Sequence, residues 1–169
     1  MVTLVPIAEI AEERIERLLD DAFGQDRHLR TAYQIRAGMA ASPDLSFAAV
    51  DGDTLIGTIQ CWPIELRSDD GREVPLLMLG PVAVDPSRQR DGLGRMLTAR
   101  ALEAAQSAAE PIALMLIGDP EYYGRFFGFS AESTAGWRTP GPVERHRLLA
   151  RGDMVPRGPG MLGPRRTTT

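Results

Sequence analysis

Apolar residues recur along the chain at spacings that change several times, and each change marks an element. After a short strand-like start, Val2 to Val5, the residues Ile7, Ile10, Ala11, Ile15, Leu18, Ala22 and Phe23 return near helical spacing with acids and arginines between them. This predicts an amphipathic helix ending near Gly24. A weaker helical segment covers His28 to Ala37, and Ser42-Pro43-Asp44 breaks it. The runs LSFAAV and TLIGTIQCW flank Asp51-Gly52-Asp53, a hairpin signal, and Asp69-Asp70-Gly71 separates IELR from VPLLMLGPVAV as a second one. From Leu93, the residues Met96, Leu97, Ala101, Ala104, Ala105 and Ala108 mark a helix buried on one face and closed before Pro111. IALMLIG then reads as a fully buried strand, so the strands on either side of that helix are expected to run parallel with a right-handed crossover.

Beyond Tyr122 the pattern gives a short helix and one or two strands around Phe129 and Trp137. Residues 151–169 carry glycine and proline throughout, a composition expected to bury little and stay mobile. The fold class is therefore α/β (α+β): a mixed sheet of antiparallel N-terminal strands and a central parallel pair, flanked by helices. One domain over residues 1–150 with a Gly/Pro/Arg-rich tail over 151–169 is the expected organisation, and no internal repeat is present.

Composition narrows the function. The net charge is −4, the wrong overall sign for a chain that wraps nucleic acid, so no nucleic-acid partner is expected. No apolar run reaches the ~20 residues of a membrane span, and no secretory leader opens the chain, so a cytoplasmic protein with no membrane partner is expected. Cys61 sits in an apolar strand, where a lone thiol reads as core rather than nucleophile. His28 and His146 lie at no zinc spacing, so no metal is expected. All 19 basic residues are arginine.

The segment VAVDPSRQRDGLGRML sets Gln89, Gly92 and Gly94 in a Q-x-x-G-x-G pattern between an apolar strand and an amphipathic helix. Glycines there let backbone N–H groups approach an anion, and the helix that follows presents its unpaired N–H groups and positive dipole end. Arg90 and Arg95 add positive charge. A plain strand-to-helix turn accounts equally well for the glycines alone. The rival phosphate motifs fit less well, because a P-loop needs a lysine and a Rossmann turn comes early in a parallel sheet.

With AVDPSRQRDGLGR in place, the sequence resembles the GNAT superfamily of N-acetyltransferases, whose pyrophosphate signature is [RQ]-x-x-G-x-[GA] after a strand. LGPVAVDP and GDPEYYGRFFGF are similar to a little-characterised group of bacterial acetyltransferases, and element order agrees from Leu45 to Phe129. The resemblance implies a GNAT-like sheet with a splayed parallel pair and acetyl-CoA as cosubstrate. It implies acetyl transfer to a primary amine of a small molecule, peptide or protein, by direct attack in a ternary complex.

The resemblance further implies that the backbone of Val82, Ala83 and Val84 pairs with the pantetheine arm. Gln89, Arg90, Asp91, Gly92, Leu93, Gly94 and Arg95 would then hold the pyrophosphate. Gly80-Pro81 reads as an interruption of the strand. The family places a proton-donating tyrosine after the second parallel strand, which falls on Tyr123, with Tyr122 as the adjacent alternative. The usual spacing is four residues to the glycine of a G-F pair, and Tyr123 stands one further from Gly128. No glutamate occupies the first parallel strand; Asp119 is the nearest acid and reads better as a helix cap. The missing base and shifted tyrosine motivate an alternative, a non-catalytic acyl-CoA-binding or regulatory module. A generic nucleotide-binding domain is a third reading. An exposed antiparallel edge would support a homodimer.

Overall fold

In a computed structural model of the chain, the opening alternation becomes strand β1, Val2–Pro6, and the apolar stripe becomes helix α1, Glu12–Phe23. The structure describes residues 1–108 and 111–166, and at Arg90 it describes the backbone alone. The stripe begins as a 3-10 turn, Ile7–Glu9, whose Ile7 N–H donates to the Ser46 carbonyl at 3.1 Å, and the extended backbone of Ile10 and Ala11 separates it from α1. The weaker helical segment resolves into a 3-10 turn, Arg27–Leu29, and a five-residue helix α2, Thr31–Ile35.

The later elements follow as strands β2, Phe47–Asp51, β3, Thr54–Ser68, and β4, Glu73–Val84, then helix α3, Leu93–Gln106. Strand β5, Ala113–Ile117, leads into helix α4, Pro120–Phe127. Three short strands complete the described residues: β6, Trp137–Arg138, β7, Leu148–Arg151, and β8, Gly160–Pro164. The fold is mixed α/β, with both antiparallel and parallel strand pairs.

Two units divide these elements. The first holds β1, α1, β2, β3 as far as Cys61, β4 from Leu79, and α3. Within it β1, β2 and β3 pair antiparallel, and the β2–β3 register jumps from Val50↔Leu55 to Ala49↔Gly57, which leaves Ile56 as a bulge. Helix α1 buries Ile15, Leu18 and Leu19 against Ile7, Ala48, Leu55 and Ala83. A Cβ on Gly57 would stand 3.0 Å from Leu97 Cδ1 and 3.2 Å from the Ala83 carbonyl, so a side chain here would push α3 or its leucine outward by a few tenths of an ångström.

Cys61 is buried on β3, and desolvation pushes its thiol up to about 12, with a backbone hydrogen bond from Gly80 working the other way. The thiolate is therefore absent at neutral pH. The folded protein is expected to give no reaction with an aromatic disulfide reagent at pH 8, and one thiol per chain after denaturation. Fast labelling of the native chain would contradict the core assignment.

The second unit holds α2, β3 from Trp62, β4 as far as Met78, and the elements from β5 to β8. The expected parallel pair is present, in register from Leu76↔Ala113 to Met78↔Met115. Strand β7 pairs antiparallel with β5, and the Ser68 N–H donates to the Arg72 carbonyl across the second hairpin turn at 2.8 Å.

The tail departs from the composition-based expectation. Its β8 pairs antiparallel with β3 over Ile64↔Pro164 to Ser68↔Gly160, pairs parallel with β6, and buries Leu162. Arg165 then donates to the carbonyls of Ile64 at 3.2 Å and Leu76 at 2.6 Å. Each of those residues follows a proline, Pro63 and Pro75, which brings no N–H to a sheet ladder. The arginine thus ties the tail to carbonyls on both β3 and β4, and composition carries no sign of that. Residues 167–169 of the tail lie outside the described residues.

Candidate functional site

Strand β4 changes character at Gly80, where φ is +116° and the peptide to Pro81 is cis. Its last residues, Val82, Ala83 and Val84, alternate half-buried, buried, half-buried, as a strand lying on a core does. At Asp85 the strand stops. The Asp85 N–H donates to the carbonyl of the bulged Ile56 at 2.9 Å, and the Asp85 carboxylate accepts from the Ser87 N–H at 2.9 Å and hydroxyl at 2.8 Å. These bonds cap a 3-10 helix, Pro86–Asp91, and hold the Asp85 carboxyl below its usual range. The same Asp-Pro signal that marks Asp119 in the sequence is legible here.

Gly92 joins this 3-10 helix to α3 in the left-handed conformation, φ +73° and ψ 18°, which a side chain disfavours. Leu93 sends its side chain into the core and leaves only its backbone at the turn. Gly94 is different. A Cβ there would meet only Val82 Cγ1, at an ordinary 3.8 Å, in the first turn of a helix where glycine costs about 1 kcal/mol relative to alanine. The protein's own packing does not demand this glycine, which fits close approach by a ligand.

Around the turn, Gln89, Asp91 and Arg95 are exposed, and the side chain of Arg90 lies outside the described residues. The first unit thus brings Val82–Val84 and Gln89–Arg95 together at the start of α3, as one continuous strand-turn-helix. Sequence reasoning passed over Arg88, which donates to Asp51 at 2.7 Å and stands 3.7 Å from Asp91. No local signal links Asp51 to a residue so far along the chain.

Tyr123 belongs to the second unit. Asp119 caps α4 by accepting from the Glu121 N–H at 3.0 Å, so its carboxylate is engaged as the sequence suggests. The Tyr123 ring lies edge-on to Tyr122, with centroids 4.9 Å apart, and near Phe127 and Phe129. A Cβ on Gly118 would stand 2.6 Å from Tyr123 Cε2, so the glycine just after β5 makes room for the ring. Burial, with smaller contributions from Tyr122 and Asp119, raises the Tyr123 phenol above its ordinary value, and nearby Arg147 opposes this. The phenol keeps its proton at neutral pH. Tyr122 is half-buried beside Phe126.

Residues 5–131 match the family model for the acetyltransferase (GNAT) domain. The chain belongs to the GNAT acetyltransferases. Two curated relatives, both called uncharacterized N-acetyltransferases of Streptomyces avermitilis, resemble it. One is 30% identical over 83 residues, covering 49% of this chain and 20% of that protein. The other is 25% identical over 167 residues, covering 91% and 40%. The chain thus spans less than half the length of the relatives it matches.

Solved GNAT structures share the fold. Escherichia coli YhbS in complex with CoA superposes with a TM-score of 0.69 at 22% identity, over 98% of this chain and 89% of that one. A GNAT family acetyltransferase of Brucella melitensis in complex with acetyl-CoA gives 0.54 at 23% identity, over 91% and 97%. Among the described residues, no group of three or more His, Cys, Asp or Glu could hold a metal ion, and no helix is long and apolar enough to cross a membrane.

Proposed function

We propose that this GNAT chain is an N-acetyltransferase that moves acetyl from acetyl-CoA to a primary amine by direct attack in a ternary complex. The turn from Asp85 to Gly94 carries the reading: a capped 3-10 helix, a left-handed glycine and a helix start whose second residue is a glycine that packing leaves optional. Such a start aims unpaired N–H groups and a positive dipole end at an anion. The backbone from Arg90 through Arg95, with Gln89 as the first motif residue, would hold the pyrophosphate. Val82, Ala83 and Val84 would pair with the pantetheine arm through their backbone.

The thioester supplies an activated acyl group. The protein's part is to position the amine, stabilise the oxygen that gains charge, and return a proton to the departing thiolate. Tyr123, held protonated by burial, is assigned the last role. With Asp119 engaged as a cap, the amine is read as arriving neutral or losing its proton through water. The same reading puts the reaction in the cytoplasm.

Calorimetric titration of the wild type with acetyl-CoA, followed by a screen of amines for CoA release, tests this. Binding with acceptor-dependent CoA release is the expected result, and the lysine-free chain offers no side-chain amine of its own to compete. Binding without turnover against any amine would favour the non-catalytic acyl-CoA module. Failure to bind acetyl-CoA and CoA alike would reduce the turn to a connection.

A further inference from the structure

We propose that the Asp51–Arg88 ion pair is a positioning strut that fixes the Gln89–Gly94 turn for an incoming diphosphate, with Arg88 acting through Asp51 rather than as a phosphate ligand. The inference rests on the acetyl-CoA reading above.

Asp51 is the last residue of β2, and Arg88 lies in the middle of the 3-10 helix that forms the turn. The bond between them, 2.7 Å from Arg88 Nη2 to Asp51 Oδ2, ties the turn to the far end of the β2–β3 hairpin. A second tie holds the entrance of the same helix, from the Asp85 N–H to the bulged Ile56 carbonyl on β3. Two attachments on neighbouring strands fix the position and the tilt of a short element that one attachment would leave free to pivot.

Arg88 is also flanked by acids. Its Nη1 stands 3.7 Å from Asp91 Oδ2, and Asp85 adds to the field that raises its affinity for its proton. Its charge is spent within the protein. Asp51 meanwhile is held ionised by the Arg88 hydrogen bond. An ionised carboxylate near a phosphate site lowers anion affinity through space. Its presence is explained if it holds the geometry of the turn, and the two effects have opposite signs.

Asp51→Asn separates them. Charge alone predicts tighter acetyl-CoA binding, because one negative charge is gone; the strut predicts weaker binding, because Arg88 loses its anchor. We expect the dissociation constant from calorimetry to rise roughly 5- to 10-fold. In an Arg88→Gln background, where the strut is already broken, the same Asp51→Asn change should leave affinity unchanged or tighten it, and that tightening should shrink at high salt. Arg88→Lys, which keeps the charge and loses the planar fork, should also weaken binding.

Tighter or unchanged binding by the folded Asp51→Asn variant would overturn the strut. So would unchanged binding by Arg88→Lys, which gives a separate reading if Asp51→Asn fails to fold. A wild type that binds no acetyl-CoA would instead remove the reading of the turn, and the strut with it.

Discussion

Gly94→Glu is expected to abolish acetyl-CoA binding while leaving the fold intact or slightly more stable. The first half follows from placing a carboxylate in the first turn of α3, where the proposed pyrophosphate would meet the backbone N–H groups. Like charges in one small cradle cannot both be accommodated, and a dissociation constant raised by roughly 100-fold or more is the expected calorimetric result. The second half follows from local geometry. The added Cβ meets Val82 Cγ1 at 3.8 Å, an ordinary contact. Replacing a helical glycine gains about 0.5–1 kcal/mol, and an acid near a helix start interacts favourably with the dipole.

The melting temperature should therefore hold or rise by roughly 2 °C. A substitution at Gly92 would give a less clear answer, because φ is +73° there and any side chain strains the backbone. Undiminished binding by Gly94→Glu would place the cofactor elsewhere.

Tyr123→Phe is expected to lower kcat by roughly 100-fold or more, the usual contribution of a positioned general acid, with little change in acetyl-CoA affinity. The ring packs against Tyr122, Phe127 and Phe129, so losing the hydroxyl should leave that packing nearly unchanged. Gly118→Ala makes an independent test. It keeps the hydroxyl and pushes a methyl to within 2.6 Å of the ring, so it should lower kcat by displacing Tyr123. Because burial raises the phenol above its ordinary value, the donor keeps its proton at neutral pH, and the wild-type rate should climb with pH as the acceptor amine loses its proton. Full activity in Tyr123→Phe, with loss in Tyr122→Phe, would move the role to the neighbouring ring.

Much of this protein is set locally. The strand-turn-helix from Val82 to Gln106 is legible because each step has a short-range cause: period-two burial, then Asp-Pro as a cap, then glycine where φ is positive, then a helical apolar stripe. IALMLIG announces a buried strand by its unbroken apolar run, and its parallel partner follows from the helix between them. Asp119 as a cap is readable in the same way.

The remainder was decided by contacts between residues far apart in the chain. Residues 160–164 look like loop by composition, since glycine and proline weaken a strand taken alone, yet they become β8 because β3 offers them a partner. Ile7 sits in a helical stripe and is not in α1, because the chain is extended at Ile10 and Ala11 while the Ile7 N–H bonds the distant Ser46 carbonyl. Arg165 satisfies carbonyls beside two prolines, and Arg88 finds Asp51 across the first unit. Local sequence thus determined the elements and the strand-turn-helix from Val82 to Gln106, through propensities that act over a few residues. Only the tertiary structure decided which distant donors and acceptors pair, because a buried polar group takes whatever partner the fold brings within reach.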